Sequence, residues 1–99
     1  MGQREIIIKE SVADSIAEIA WYIESKGLVA TAEKFADDVY DFFIKLADSR
    51  RGHAICKDPE RAIIGYKCIP YKRKYTVVFL ESDDELIMCE FIPSKNIHW

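Results

Sequence analysis

The apolar residues change their period along this chain, and that change limits the folds it can adopt. After a short apolar run at residues 4–9 (REIIIK), apolar side chains recur every three or four residues, as they do on a helix. From residue 62 onward they fall in three short runs that are typical of strands. The chain therefore predicts the order β-α-α-β-β-β.

Two amphipathic helices account for the first half of the chain. The first is predicted from Ser11 to just before Gly27, because Ser11 with Asp14 is similar to a capping box and Gly27 suits the position after a helix end. The second is predicted over residues 31–48, and the short connection SKGLVA predicts an antiparallel hairpin. The two apolar stripes are Val12, Ile16, Ile19, Ala20 and Ile23, and then Ala32, Phe35, Ala36, Val39, Tyr40, Phe43 and Leu46.

The second half predicts a loop and three strands. Residues 50–61 follow neither period, so we expect a loop there. Strands are predicted at residues 62–69, 72–81 and 85–92, separated by Pro70-Tyr71 and by an acidic turn at residues 82–84. Short connections favour antiparallel pairing. The expected fold class is α+β, with the helical hairpin packed on one face of a small, mainly antiparallel sheet whose other face is free to meet a partner.

Length and cysteine count set further limits. The 99 residues suit a single domain over residues 1–99, and the apolar runs are far shorter than the roughly 20 residues needed to cross a bilayer. We therefore expect a cytoplasmic protein with no membrane partner. The three cysteines form no CxxC pair, so we expect reduced thiols and no disulfide. His53 and Cys56 offer only half of a metal site, and no cofactor motif is present, so we expect neither a metal nor a cofactor.

The charge is distributed unevenly. Residues 50–74 carry eight Lys or Arg against two Asp or Glu, although the whole chain has a formal net charge of −3. Residues 1–49 carry five against ten, and residues 75–99 carry one against five. A basic region of this kind attracts anionic partners if the fold keeps it together. The alternative is that these cations only solvate a loop and a sheet edge.

The sequence resembles the RelE/ParE superfamily of bacterial toxins over almost its full length. The resemblance lies in the hairpin stretches SVADSIAEIAWYIES and AEKFADDVYDFFIKLAD, and in the terminal stretch GYKCIPYKRKYTVVFLESDDELIMCEFIPSKNIHW. It implies the toxin of a type II toxin-antitoxin system, held inactive by a cognate antitoxin. ParE-like members inhibit DNA gyrase by binding it, whereas RelE-like members cut mRNA on the ribosome without a metal. A non-toxic interaction module with the same fold is a third possibility, and any of them could form a homodimer.

The resemblance also directs attention to particular residues. Lys72 and Arg73 would hold phosphate in a nuclease, and His98 or Lys95 would have to fold back to transfer a proton. Glu90 and Pro93 stand where RelE-like nucleases commonly carry Arg, His or Tyr, and the sequence pI of 5.4 suits ribosomal RNA poorly. These departures favour the ParE-like branch or an inactive relative. The candidate contacts with a target or nucleic acid are Lys67, Tyr71, Lys72, Arg73, Lys74 and Lys95, with Tyr66 as a second base-stacking candidate.

Three other features have simpler expected roles. Trp21 and Tyr22 are adjacent on the first helix, so they point about 100° apart, and we expect ordinary packing with at least one at the rim of the core. Cys68 and Cys89 fall in predicted strands and are expected to be small buried thiols. The acidic row Asp37, Asp38 and Asp41 is expected to be a solvated helix face.

Overall fold

The computed structural model describes residues 4–48 and 53–96, and it has the α+β architecture that the periodicity predicts. A third, short helix is added between the helical hairpin and the second strand. The elements are β1 (Glu5–Ile8), α1 (Glu10–Ser25), α2 (Val29–Asp48), α3 (Pro59–Ile64), β2 (Lys67–Tyr71), β3 (Tyr75–Glu81), β4 (Glu85–Pro93) and a 3₁₀ turn at Ser94–Asn96.

Helix α1 ends as predicted but begins earlier. Its N-cap is Lys9, in an extended conformation and without a side-chain capping bond. Ser11 lies inside the helix, where its carbonyl accepts a 2.9 Å hydrogen bond from the Ser15 hydroxyl, so the predicted capping box is wrong. At the other end Gly27 has a φ of 83°, and its amide donates to the Glu24 carbonyl at 2.8 Å. Glycine suits this position because a positive φ would strain a residue that has a side chain.

Helices α1 and α2 pack together and cover one face of the sheet. Their stripes supply Val12, Ile16, Val39 and Phe43 to the main core, which also contains Phe79 from β3. Removing a buried ring such as Phe43 typically costs about 3–5 kcal/mol, so this layer holds much of the stability of the fold. The expected helical hairpin on one face of the sheet is thus present.

The four strands form one sheet in the order β1-β4-β3-β2. Strand β3 pairs antiparallel with β2 and with β4, whereas β1 pairs parallel with β4. The sheet is therefore mixed and mainly antiparallel. In β3, Val77 and Phe79 face the helices, while Val78 belongs to a second cluster on the opposite face, which we call the outer face.

A bulge in β4 keeps its apolar side chains on the helix face. Val78 pairs with Glu90 and Phe79 pairs with Met88, so Cys89 is one extra residue in β4. Met88 and Phe91 therefore both face the helices although they are three residues apart. Cys89 is buried and free, and burial raises the pKa of its thiol, which fits the expected inert packing role.

The predicted boundaries around β2 need correction. The turn lies at residues 72–74, and Pro70 sits inside the strand, where the sequence predicted a break. The amide of Cys68 points away from β3, because it donates to the Ala54 carbonyl at 3.4 Å. Two residues on, the nitrogen of Pro70 points to the same free edge, where no ladder hydrogen bond is lost. Pro70 is tolerated for that reason.

The segment at residues 53–66, which we call the cover, lies over part of the outer face. It contains α3, for which Asp58 is the N-cap: its carboxylate accepts from the Glu60 amide at 3.1 Å. Gly65 ends the helix with a φ of 92°. Cys56 and Tyr66 of the cover pack with Val78 on the outer face. The predicted strand at residues 62–69 therefore begins only at residue 67, and the outer face is not free as predicted.

A disulfide joins the cover to the sheet, so the prediction of no disulfide is wrong. Cys56 and Cys68 are bonded, with their Cα atoms 4.8 Å apart. They meet because the chain doubles back: the Cys56 amide donates to the Tyr66 carbonyl at 2.9 Å, and Ile55 forms a bridge with Lys67. An odd number of cysteines means only that they cannot all be paired within one chain. One disulfide is still possible, and here the third cysteine stays unpaired.

Candidate functional site

Three of the predicted binding residues, Lys72, Arg73 and Lys74, form the turn between β2 and β3, which we call the basic turn. The Lys74 amide donates to the Tyr71 carbonyl at 3.2 Å and closes it. Lys72 and Arg73 have φ values of 52° and 61°. All three side chains are exposed, so the fold does bring the central cations of the sequence to one place.

The backbone of the basic turn is unfavourable for the residues it contains. A left-handed conformation costs an L-residue with a side chain about 1–2 kcal/mol, and hairpin turns of this kind prefer Asn and Gly. Lys72 and Arg73 occupy both left-handed positions instead. The turn therefore presents two cations at some cost to local stability, which is the pattern expected of a functional surface.

The fourth cation, Lys95, lies beside the basic turn. The Ser94 amide donates to the Lys74 carbonyl at 2.9 Å, and the hydroxyls of Ser94 and Thr76 are 2.9 Å apart. These bonds fix the end of β4 against the start of β3, and exposed Lys95 follows directly. We call this group the basic end of the sheet: Lys72, Arg73, Lys74 and Lys95.

Lys72 is partly held by an acidic neighbour. Its ammonium nitrogen lies 3.7 Å from Asp38 and 5.5 Å from the centre of the Tyr71 ring, beside an open cleft of about 360 Å³. Asp38 also pairs with Lys34 at 3.2 Å, so it is less solvated than predicted. An exposed pair of this kind contributes about 0–1 kcal/mol, so Lys72 can leave Asp38 for an anionic partner. Among the residues that the structure describes, the other cations of the basic end form no ion pair.

Tyr71 is not placed to stack on a base. Only 5% of its surface is exposed. Its ring contacts Phe42 at 4.9 Å and Phe91 at 6.0 Å between ring centres, inside the main core. Tyr66, the second candidate, packs in the cover. The role predicted for both tyrosines does not agree with this geometry.

Two further candidates do not join the basic end. Lys67 is half-buried at the opposite end of β2 and pairs with Phe79. Tyr71 is four positions further along the strand, a distance of about 13 Å. His98, whose fold-back the resemblance requires for a nuclease, lies outside the residues that the structure describes.

Glu90 is paired with Arg61, a cation that no local sequence pattern connects with it. Arg61 of the cover donates to both Glu90 oxygens, at 2.7 and 2.8 Å, and also pairs with Asp58. The hydrogen bond to Glu90 raises the pKa of Arg61 above its usual value. Glu90 therefore does not present a bare charge to phosphate. The two residues are 29 positions apart, and no local pattern signals such a pair.

In the part of the chain that the structure describes, the proton-transfer groups that RNA cleavage needs are not assembled at the basic end. Tyr75 is stacked on Phe91 with ring centres 5.0 Å apart, and burial raises its pKa. His53 is at the other end of β3, where its Nδ1 lies 2.8 Å from Glu81. Within residues 4–48 and 53–96, the cations thus have no exposed His or Tyr beside them.

The end of the helical hairpin carries an exposed apolar patch. Trp21 is 72% exposed and Tyr22 60%, and Leu28 and Val29 are half exposed. The expected packing of Trp21 and Tyr22 is therefore wrong for both. The Lys26 ammonium lies 5.1 Å from the centre of the Tyr22 ring and leaves most of that ring exposed. Exposed aromatic and aliphatic groups at one place are typical of surfaces that bind another protein.

Comparison with known proteins leaves the site to be judged on its geometry. No model of a protein family matches the sequence. No curated protein matches it either. Among the residues described, no helix has the length and apolar character to cross a membrane.

Proposed function

We propose that this chain is the toxin of a type II toxin-antitoxin pair and acts, like ParE-like toxins, by binding DNA gyrase through the basic end of its sheet. The observation that carries the proposal is the basic turn. It keeps Lys72 and Arg73 at backbone positions that favour Asn and Gly. A sequence selected for the turn alone would not place two cations there.

Binding is favoured over RNA cleavage because of what accompanies the cations. Cleavage requires a group that takes the 2′-OH proton and one that protonates the leaving oxygen. In the described residues, the Tyr71 ring lies in the core and the half-buried Tyr75 ring packs against it. His53 is held by Glu81 at the far end of β3. Exposed cations can bind an acidic protein surface, or the phosphate backbone of a nucleic acid held in a complex, without any proton-transfer group.

The architecture is compatible with the same proposal. The RelE/ParE resemblance implies a helical hairpin on one face of a mainly antiparallel sheet, and this chain has that arrangement. The hairpin also leaves an apolar patch around Trp21 and Tyr22 uncovered. An antitoxin that places apolar anchors on this patch and acidic residues on the basic end would neutralise both surfaces.

The test is a supercoiling assay with purified gyrase and relaxed plasmid. We expect the wild-type protein to inhibit supercoiling at a stoichiometric ratio. The triple variant Lys72→Ala, Arg73→Ala, Lys74→Ala should need at least ten times more protein, because three of the four cations are lost. The matched control is Asp83→Ala, Asp84→Ala in the other hairpin turn, which should inhibit like the wild type.

Two results would contradict the proposal. One is supercoiling that continues at a large excess of folded wild-type protein. The other is mRNA cut at defined codons in a translation extract, which would assign the chain to the nuclease branch and require His98 or another group at the basic end. Growth arrest on expression, relieved by the product of an adjacent gene, tests the toxin-antitoxin role independently of the target.

A further inference from the structure

In the described part of the chain, the cover is attached to the sheet at a small number of points, which include the hydrogen bond from the Cys68 amide to the Ala54 carbonyl. The disulfide joins Cys56 to Cys68 of β2, and the guanidinium of Arg61 binds Glu90 of β4 through two hydrogen bonds. At the start of the cover, His53 is held by Glu81. The disulfide closes the loop that contains α3 and Arg61, so it controls how far that part of the cover can move.

Apolar packing does little to hold α3. The helix has six residues and none of them is buried. Ile63 is 87% exposed, and Ile64 also points to solvent. A helix this short is not stable by itself in water. The position of α3 therefore depends on its attachments, and one of these is a bond that thiols can break.

We infer that the Cys56–Cys68 disulfide is a redox-sensitive fastening: it keeps the cover closed, and its reduction lets the cover open and expose the outer face of the sheet. This inference does not rest on the proposed function. It concerns only residues 53–68 and the strands beneath them, because the main core is formed on the other face by the two long helices.

The chemistry is ordinary thiol-disulfide exchange with a small thiol as the reductant. A thiolate attacks one sulfur, forms a mixed disulfide and releases the other cysteine as a thiolate. A second thiol then attacks the reductant's sulfur in this mixed disulfide and releases the remaining cysteine as a thiolate. The protein gains two electrons and two protons as Cys56 and Cys68 become thiols, and the reductant leaves as its disulfide. Both cysteines are buried, so the first attack requires a partial opening of the cover.

Opening would change the surface next to the basic end. Val78 is fully buried beneath the cover, and Ile92 is partly covered. Ile92 pairs with Thr76, two residues from Lys74. The reduced protein would therefore add an apolar area beside the exposed cations.

Hydrogen exchange on the full chain, before and after treatment with dithiothreitol, tests the inference. The reporters are the amides of Cys56, Ala62, Gly65 and Cys68, whose hydrogen bonds lie within the cover or join it to β2. We expect at least tenfold faster exchange at these amides after reduction, with less than twofold change in α1 and α2. Free-thiol titration should find one thiol before reduction and three after it.

Two variants make the test specific. Cys56→Ser with Cys68→Ser should show the fast exchange without any reductant, whereas Cys89→Ser should respond to dithiothreitol like the wild type. In reduced protein, Arg61→Ala should speed the same amides further than Arg61→Lys does. Equal exchange in the oxidised and reduced protein would overturn the inference, as would three free thiols after aerobic purification. Faster exchange throughout α1 and α2 would also overturn it, because reduction would then unfold the whole chain.

Discussion

The two hairpin turns of the sheet lie at opposite ends of β3 and are built differently. The acidic turn at residues 82–84 is closed by a backbone bond from the Ser82 amide to the Glu85 carbonyl at 2.9 Å and by its own side chain, because the Ser82 hydroxyl accepts from the Glu85 amide at 3.1 Å. Arg4 also donates to the Ser82 carbonyl at 3.3 Å and to Glu81 at 2.9 Å. The basic turn has one closing backbone bond and two residues at positive φ.

The difference shows at which end of the sheet the charged groups form contacts within the protein. At the acidic end, Arg4 bonds to the last carbonyls of α2 and to Glu81, which also holds His53, so these charged groups join α2, β3 and the cover. At the basic end, the cations point outward and the backbone is locally unfavourable. The first arrangement stabilises the protein, and the second is open to a partner. Both statements can be tested by substitution.

The largest effect on stability is expected at Glu81. Burial acts to raise its pKa, but hydrogen bonds from His53 and Arg4 outweigh burial and lower the pKa below the usual 4.5. A carboxylate with a lowered pKa stabilises the fold above its unfolded pKa, and that stability is lost as the pH falls through the folded value. We expect Glu81→Gln to reduce the free energy of unfolding at pH 7 by about 2 kcal/mol.

Urea unfolding at a series of pH values measures this contribution. The difference between wild type and Glu81→Gln should be present at pH 7 and should shrink below about pH 4.5, where the unfolded chain takes up a proton that the folded carboxylate still resists, until it is lost as the pH falls through the folded pKa. Asp83→Asn removes an exposed charge close by and should change stability by less than about 0.5 kcal/mol. A difference in the free energy of unfolding that stays constant down to pH 3 would show that Glu81 acts through packing and not through its charge.

A gain in stability is expected at the basic turn. Replacing Lys72 by Asn and Arg73 by Gly gives both left-handed positions the residues they favour, and we expect about 1 kcal/mol more stability. The same pair should inhibit gyrase less, because two of four cations are removed. The control is Asp83→Asn with Asp84→Gly, where φ is not positive and no gain is expected. A loss of stability at the basic turn would mean that Lys72 and Arg73 serve the fold.

The long helices and the mainly antiparallel sheet could be predicted because their signals repeat. Val12, Ile16, Val39 and Phe43 follow a helical period over 16 and 20 residues, and each was correctly placed in the core. Helix α3 has no such signal. It is only six residues long and buries none of its side chains, so its sequence contains no repeating apolar stripe. The sequence indicates this helix only through residues typical of helix ends, which are Asp58-Pro59 at its start and Gly65 at its end.

The parts of the site that the sequence missed depend on contacts between distant positions. Cys56 and Cys68 are 12 positions apart, and neither spacing nor number predicted that they would be bonded. Arg61 and Glu90 meet only because the cover crosses the outer face. The cations of the basic turn were visible, but their left-handed backbone was not, because Lys and Arg are not turn residues. The sequence was therefore sufficient to locate the cations of the basic turn, but not to predict their backbone conformation or the contacts around them.

The smallest effect is expected at Ser82. Its hydroxyl accepts from the Glu85 amide at 3.1 Å and lies 3.3 Å from the Glu85 carbonyl, so Ser82→Ala leaves this amide without its side-chain partner. The turn is exposed, so water replaces most of what is lost, and we expect a destabilisation of about 0.5 kcal/mol. Ser82→Thr keeps the hydroxyl and should lose less, and neither variant should alter gyrase inhibition, because the acidic turn is at the far end of β3. Thermal unfolding with the inhibition assay on the same samples decides the matter: reduced inhibition by folded Ser82→Ala would place the target contact at both ends of the sheet and remove the division of roles between the two turns.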